Sequence, residues 1–180
     1  MAATLKSKST GKKAPAKKLT YTEQIDEILD ARHKSSGLPS DRHPGRSWIS
    51  ENDGNHDDET QYEIYTEDNT EASFSIEQLP GCCGVAVGHS FQIPDDLWPV
   101  VNKLMQQLAY DRKYTLLVCT QLTSCKAYVK AMGNCDWDRR EFKSRGTGNR
   151  VSFDVIQLKD TGTKIGLDCD PNEASDYTPF

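Results

Sequence analysis

Two groups of reactive side chains stand out in the apolar part of the sequence. Adjacent thiols occur at Cys82-Cys83, and His89 is the only histidine between residues 74 and 160. A histidine at a strand end can act as a general base for an amine acceptor, or it can be an ordinary surface or capping residue. The thiols would suit redox or metal chemistry, but no C-x-x-C pair accompanies them, and strand alternation would turn them to opposite faces. The pattern favours buried structural thiols and leaves His89 as the candidate base.

Two further clusters contain some of the residues of metal sites. His56-Asp57-Asp58 could collect a metal ion, although such a run in an acidic segment is typical of solvated charges. The run from Asp168 to Asn172 matches the first ligand positions of an EF-hand loop, yet Glu173 replaces the required glycine. The sequence therefore predicts no metal site.

Charge is distributed in blocks along this chain of net charge −5. Residues 1–18 contain six lysines and no acid, whereas residues 51–77 contain ten acids and no lysine or arginine. The lysines either contact nucleic acid or an anionic surface, or they form a solubilising tail. A second basic cluster, from Arg139 to Arg150, is either a site for a phosphate or acidic partner or an ordinary solvated hairpin. No apolar run is long enough to cross a bilayer, which predicts a cytoplasmic protein without a membrane partner.

The first 73 residues predict little regular structure. Residues 1–19 read as a disordered basic tail. Thr20 and Glu23 stand at capping-box spacing and predict a short amphipathic helix within residues 20–36, which either docks on the domain or awaits a partner. Residues 37–73 predict an acidic linker with room for one edge strand.

Residues 74–160 predict one α/β domain, followed by an acidic tail at 161–180. Apolar, β-branched runs indicate its strands, and helical spacing after Pro94-Asp95-Asp96 indicates its longest helix. A second helix is expected to stop at Gly133 in a left-handed conformation. The predicted strands are 74–79, 82–87, 114–120, 137–144 and 151–158, with two helices crossing over between neighbouring strands and a final antiparallel hairpin.

Several motifs within residues 79–158 carry a resemblance to a known family. They are Leu79-Pro80-Gly81-Cys82-Cys83-Gly84, Thr120-Gln121, Glu141-Phe142-Lys143-Ser144 and Thr147-Gly148-Asn149-Arg150-Val151-Ser152. With the order of elements, these motifs resemble the closing half of the GNAT N-acetyltransferase fold, and in particular small GNAT-like proteins of tailed bacteriophages. The resemblance implies a mixed α/β (α+β) sheet, and the polar composition of the preceding residues predicts a flexible N-terminal region.

The resemblance also implies a cofactor site. Acetyl-CoA would lie between the strand at 83–87 and the strand at 114–120, with its pyrophosphate at the helix that follows Asp95, because free N–H groups and the helix dipole favour anions there. His89 or Tyr128 would serve in proton transfer. The residues implied at the cofactor are Gly84, Val85, Ala86, Val87 and Gln121.

Two hypotheses about function follow from this resemblance. The first is an enzyme that transfers an acetyl group from acetyl-CoA to an amine. The second is a noncatalytic phage accessory protein that binds a host protein or nucleic acid in the host cytoplasm, through the lysine-rich tail and the Arg139–Arg150 hairpin. The chain has Asp95 and Asp96 where GNAT enzymes place a glycine-rich phosphate loop, which favours the second hypothesis.

Overall fold

A computed structural model describes residues 17–37, 47–54, 58–66, 69–120, 125–133, 136–143 and 147–166. In chain order the elements are α1 (Tyr21–Ser35), β1 (Trp48–Asp53), β2 (Glu59–Tyr65), β3 (Thr70–Gln78), β4 (Val85–Gln92), α2 (Trp98–Asp111), β5 (Leu116–Thr120), α3 (Lys126–Gly133), β6 (Asp138–Lys143) and β7 (Arg150–Gln157). The predicted mixed α/β class is confirmed.

Within the described residues, seven strands form one mixed sheet in the order β1-β2-β3-β4-β5-β7-β6. The pair β4–β5 is parallel, and α2 connects its two strands along the chain. The other neighbouring pairs are antiparallel, including the predicted hairpin of β6 with β7. The predicted crossover of the second helix between neighbouring strands is wrong, because α3 leads from β5 to β6 and β7 lies between these two strands. Parallel neighbours need a long crossover connection, which explains why the longest apolar helix lies between β4 and β5.

The core lies between one face of the sheet and the three helices. Strand side chains that point to this face are fully buried and belong to the same cluster as the buried residues of α1, α2 and α3. The strand residues between them point to the opposite face, which we call the open face because no helix of the described residues lies on it. The largest buried strand side chains of the core are Tyr62, Ile64, Phe74, Ile76 and Leu117.

Helix α1 is docked on the domain, which settles the two alternatives that the sequence left open. Thr20 caps the helix, and the predicted capping box with Glu23 is present. Tyr21, Ile25 and Leu29 are buried. The Thr20 backbone N–H donates to the Glu23 carboxylate, and this hydrogen bond lowers the pKa of Glu23. A helix whose apolar stripe is this short needs tertiary contacts to be stable, and here it has them.

The segment that follows α1 corrects the prediction of an acidic linker. Residues 48–73 contribute β1, β2 and the start of β3 rather than one edge strand. In β2, Tyr62 and Ile64 face the core while Gln61 and Glu63 face the open side. Strands with one solvated face carry as many polar as apolar residues, so their composition imitates that of a linker.

Three local predictions also change. The strand predicted at 82–87 begins at Val85, because Gly81 and Gly84 adopt positive φ and hold residues 80–84 in a turn. Cys82 and Cys83 therefore lie exposed in that turn and are not buried thiols. Gly133 ends α3 without the predicted left-handed conformation.

The predicted tails lie largely outside the described residues. These are residues 1–16 of the basic tail and 167–180 of the acidic tail. The part of the latter that is described, residues 161–166, runs along the first turn of α1. Lys164 and Ile165 accept hydrogen bonds from the backbone N–H groups of Tyr21 and Thr22.

Candidate functional site

The two parallel strands separate near the end of β4, and this opening is the candidate site. The last residue pair between them is Gly88 with Cys119, whereas β4 continues to Gln92 along β3 alone. The β3–β4 register shifts between Ser73 and Ser75, so two residues of β4 face one of β3. Such a β-bulge bends the strand and re-aims side chains, and bulges are common beside active sites.

Aromatic side chains fill the opening on the helix side. The ring of Trp98 packs edge-on against Tyr128 at a centroid distance of 5.0 Å and against Phe91 at 5.4 Å. A Cβ atom at Gly88 would lie 3.4 Å from Cζ of Phe91 and 3.0 Å from Sγ of Cys119. The ring of Phe91 therefore lies directly against Gly88, and a side chain at this position would press on Cys119.

Tyr128 is held inside this aromatic group by a buried hydrogen bond. Its hydroxyl donates to Oδ2 of Asp154 at 2.7 Å, and both side chains are buried. Burial raises the pKa of Tyr128, and the neighbouring carboxylate raises it further. Burial likewise raises the pKa of Cys119. Tyr128 therefore holds its proton firmly and has Asp154 as its partner.

The start of α2 is occupied by a different set of charges. Nε and Nη2 of Arg32 donate to the two carboxylate oxygens of Asp96 at 3.0 and 2.7 Å, and Nη1 donates to Glu71 at 2.9 Å. The hydrogen bonds from Arg32 lower the pKa of Asp96, so this carboxylate stays charged. Pro99 removes one of the N–H groups of the first turn, and Leu97 at the N-cap makes no side-chain cap. Residues around this helix start do not fit a pyrophosphate.

A second group of polar side chains lies on the open face, across β4 from the aromatic rings. His89 lies within β4, and its Nδ1 is 2.9 Å from Oγ of Ser90. Its Nε2 is 3.7 Å from Oε1 of Glu77 and 3.8 Å from Oε1 of Glu59. A cavity of about 100 Å³ adjoins this group and is lined by Glu59, Gln61, Ser73, Phe74, Ser75, Ser90 and Gln92.

The structure brings only part of the predicted cofactor set to the opening. Gly84 lies in the turn before β4, and its carbonyl accepts from Oγ1 of Thr115. Val85, Ala86 and Val87 follow in β4, where each is paired with β5. His89 follows the last paired residue and faces the open side, whereas Tyr128 lies on α3, on the helix side of the sheet. Gln121 lies outside the described residues. Their roles at a cofactor stay predictions.

Sequence reasoning missed Ser90, Phe91 and Asp154. The bulge turns Ser90 toward the open face and Phe91 toward the aromatic rings. Nothing in these two residue types indicates a bulge. Asp154 is a single acid in the apolar run of β7, and that was a usable signal, because a buried carboxylate needs a partner.

The arginines of the β6–β7 hairpin have carboxylate neighbours. Arg139 lies 3.6 Å from Asp154, Arg140 lies 3.7 Å from Asp138, and Arg150 lies 3.3 Å from Glu141. The positive charge of these three arginines is thereby largely balanced by acids of the same hairpin.

In the described residues, no group of three His, Cys, Asp or Glu side chains is arranged to hold a metal ion. None of the described helices is long and apolar enough to span a membrane.

A larger cavity, of about 670 Å³, lies away from the opening. It is an open cavity between the start of α1, α2 and the chain after β7, and Tyr21, Lys103, Lys159 and Thr161 are among its lining residues. The Tyr21 hydroxyl donates to Thr161 and Thr161 donates to Gln107, so the cavity wall ties the two ends of the described chain together.

Comparison with known proteins gives matches among solved structures alone. No family model and no curated protein matches the sequence. A probable GNAT-family acetyltransferase from Chromobacterium violaceum is 10% identical, with 57% of this chain and 60% of that chain covered and a TM-score of 0.43. A probable acetyltransferase from Staphylococcus epidermidis is 12% identical, with coverage of 79% and 98% and a TM-score of 0.44. The spermidine N-acetyltransferase from Vibrio cholerae, solved with CoA and spermine, is 10% identical, with coverage of 57% and 67% and a TM-score of 0.44.

Proposed function

We propose that this chain is a GNAT-like protein that acts by binding a partner protein and does not use acetyl-CoA. The parallel β4–β5 pair joined through α2 supports the GNAT-like part, because it is the arrangement that the sequence resemblance implied. The absence of acetyl-CoA use is argued from the start of α2, where Arg32 is hydrogen-bonded to Asp96 and Glu71.

A pyrophosphate binds a helix start through free N–H groups and a favourable dipole. Here the same place presents the carboxylates of Asp95 and Asp96, which repel an anion. Arg32 offsets the charge of Asp96, but its guanidinium already makes three hydrogen bonds to the carboxylates of Asp96 and Glu71 and is therefore not free to bind a phosphate. A second obstacle lies between β4 and β5, where the part of acetyl-CoA beyond the pyrophosphate would have to fit. Phe91 and Trp98 fill the space beside Gly88 there. Acetyl-CoA therefore fits neither part of the site.

The partner surface that we propose is the open face of the parallel strand pair. Parallel strands are normally covered on both faces, but these strands carry half-buried apolar side chains on the open face. The side chains are Val85, Val87, Leu116 and Val118. An apolar patch of this kind favours a protein partner, and the paired arginines of the hairpin make nucleic acid the weaker alternative.

Acetyl-CoA will leave the thermal unfolding midpoint unchanged up to millimolar concentration. A ligand present at 100 times its dissociation constant stabilises the native state by about 2.7 kcal/mol, which corresponds to a rise of roughly 5–10 °C for a chain of this size. An acetyl-CoA-dependent enzyme measured alongside serves as the positive control. A concentration-dependent rise would contradict the proposal and favour the second candidate, acetyl transfer to an amine, for which His89 is placed at the end of the paired part of β4.

The substitution Val118→Asp will abolish capture of the partner protein while the chain stays folded, because it places a charge in the centre of the apolar patch. The measurement is affinity capture from an extract of the cells that make the protein, with retained proteins identified by mass spectrometry. Val129→Asp is the matched control, since Val129 is 38% exposed and lies on α3. Retention of the same proteins by both variants would count against this surface.

A further inference from the structure

Ser90 has a backbone conformation that is costly for a residue with a side chain. Its φ is +55°, in the left-handed region that favours glycine. Strain of this kind persists where the surrounding structure enforces it, and it clusters at functional sites. In this protein the β-bulge enforces it, and the Ser90 side chain turns toward the open face, where it lines the small cavity. Consecutive strand residues normally face opposite sides, so the bulge is what allows Ser90 to meet His89.

The contacts of His89 determine which of its nitrogens can act as a base. The carboxylates of Glu77 and Glu59 lie 3.7 and 3.8 Å from Nε2, which is a charge contact beyond hydrogen-bond distance, and Nε2 has no hydrogen-bond partner among the described residues. Nδ1 lies 2.9 Å from the Ser90 hydroxyl, and in the tautomer that carries its proton on Nε2 it accepts a hydrogen bond from that hydroxyl. A hydroxyl within hydrogen-bond distance of an imidazole that has carboxylates nearby is an arrangement that can activate a nucleophile.

We propose that Ser90 is a nucleophile, activated by His89, that reacts with small activated acyl compounds such as esters and thioesters. This inference does not rest on the proposed binding role or on acetyl-CoA. Ser90 lies on the open face of β4, next to the proposed partner surface, whereas the aromatic rings and the start of α2 lie on the helix side.

The two carboxylates near His89 belong to strands of the sheet, Glu59 to β2 and Glu77 to β3. The Glu59 side chain is only 5% exposed, and it lies against Gly54. A Cβ atom at Gly54 would be 2.4 Å from Cγ of Glu59, so any larger residue there would displace the carboxylate. Glu77 lies on the neighbouring strand and is more accessible. Both glutamates act through His89 and are positioning residues.

The adjoining cavity limits the size of the acyl group. Its volume of about 100 Å³ equals roughly three times the share of liquid volume that one water molecule takes. That space suits an acyl group of two or three carbons. The buried hydroxyl-bearing residues Ser73 and Ser75 lie in its wall and can donate to a carbonyl oxygen.

The reaction is an acyl exchange without a change in oxidation state. Oγ of Ser90 forms a bond to the acyl carbon while its proton moves to Nδ1 of His89. The bond from the acyl carbon to the alcohol or thiol breaks, and that leaving group takes the proton from Nδ1. Water, deprotonated by the same nitrogen, then attacks the acyl-serine ester and releases a carboxylic acid, and Ser90 regains its proton.

The test is labelling of the full chain with a fluorophosphonate probe, followed by intact-mass and peptide mass spectrometry. We expect one adduct, located at Ser90, and none in Ser90→Ala. Ser90→Gly removes the hydroxyl and also relieves the positive φ, so it guards against misfolding of the alanine variant. Ser36→Ala is the control, because Ser36 is an exposed serine whose hydroxyl donates to a helix carbonyl. An adduct that persists in Ser90→Gly, or wild-type protein that takes none at millimolar probe, overturns the proposal.

The role of His89 is tested by the rate of labelling. His89→Gln keeps a polar side chain but cannot accept the proton, and we expect labelling to slow by about 100-fold, the lower range for a general base. In Glu77→Gln the inactivation rate constant falls while the half-saturating probe concentration and the unfolding midpoint stay at the wild-type values. Equal rate constants in wild type and His89→Gln would mean that Ser90 is not activated in this way.

Discussion

Trp98→Ala will lower the free energy of unfolding by about 3–5 kcal/mol, the range for removing a large aromatic side chain from a core. Trp98 is 1% exposed and contacts the rings of both Phe91 and Tyr128. Its removal leaves a cavity between α2, α3 and the opening of the sheet. The effect is measured by equilibrium denaturation with urea, followed by circular dichroism.

The matched control for this change is Lys103→Ala on the same helix. Lys103 is exposed, and removal of an exposed side chain of a helix changes stability by about 0.5 kcal/mol or less. A loss of less than about 1 kcal/mol in Trp98→Ala would mean that neighbouring rings refill the space, and that the aromatic group does not hold the opening closed.

Ile25→Ala will weaken the docking of α1 by about 2–5 kcal/mol, because Ile25 is fully buried in the centre of the apolar stripe. We expect faster proteolysis within residues 21–35 and a lower unfolding midpoint. Glu27→Ala, two residues along the same helix, is exposed and should change neither quantity measurably.

The outcome distinguishes two ways in which α1 can belong to the domain. If α1 unfolds together with the sheet, both the protease sensitivity and the urea midpoint change in Ile25→Ala. If α1 opens by itself, the midpoint of the sheet stays constant while cleavage in the helix accelerates. Wild-type behaviour in both measurements would show that Ile25 does not anchor the helix.

The elements that the sequence predicted best have local signals. The capping box at Thr20 and Glu23 marks the start of α1, and helical spacing from Leu97 to Leu108 marks α2. Each signal lies within a few residues of the element that it specifies, so no knowledge of the rest of the fold is needed. Whether α1 docks depends on distant strands, and the sequence left that question open.

The predictions that were wrong depend on pairing between distant residues. Strands β1 and β2 are stabilised by each other and by β3, and their solvated faces made them resemble a linker. The start of β4 was misplaced because its first apparent residues, Cys82 and Cys83, belong to a glycine-bounded turn. The candidate site was misplaced for the same reason. The predicted cofactor strand covers residues 83–87, whereas the opening between β4 and β5 begins after Gly88.

The site was also hidden by its conformation. Ser90 has φ of +55°, and neither serine nor its neighbours indicates a left-handed residue in the middle of a strand. The β-bulge at this residue turns the Ser90 side chain to the same face as His89. Residue types alone could name His89 as a candidate base, but they could not bring it next to a hydroxyl and two carboxylates.

The contact between α1 and residues 161–166 has a consequence for synthesis on the ribosome. The Tyr21 hydroxyl is bonded to Thr161, 140 residues further along the chain, and the backbone of the same helical turn is bonded to Lys164 and Ile165. During translation α1 emerges before the described strands, yet the residues that anchor its start emerge after all of them. The first turn of α1 thus gains these anchors only after residue 165 has been made, and until then chaperones can bind there.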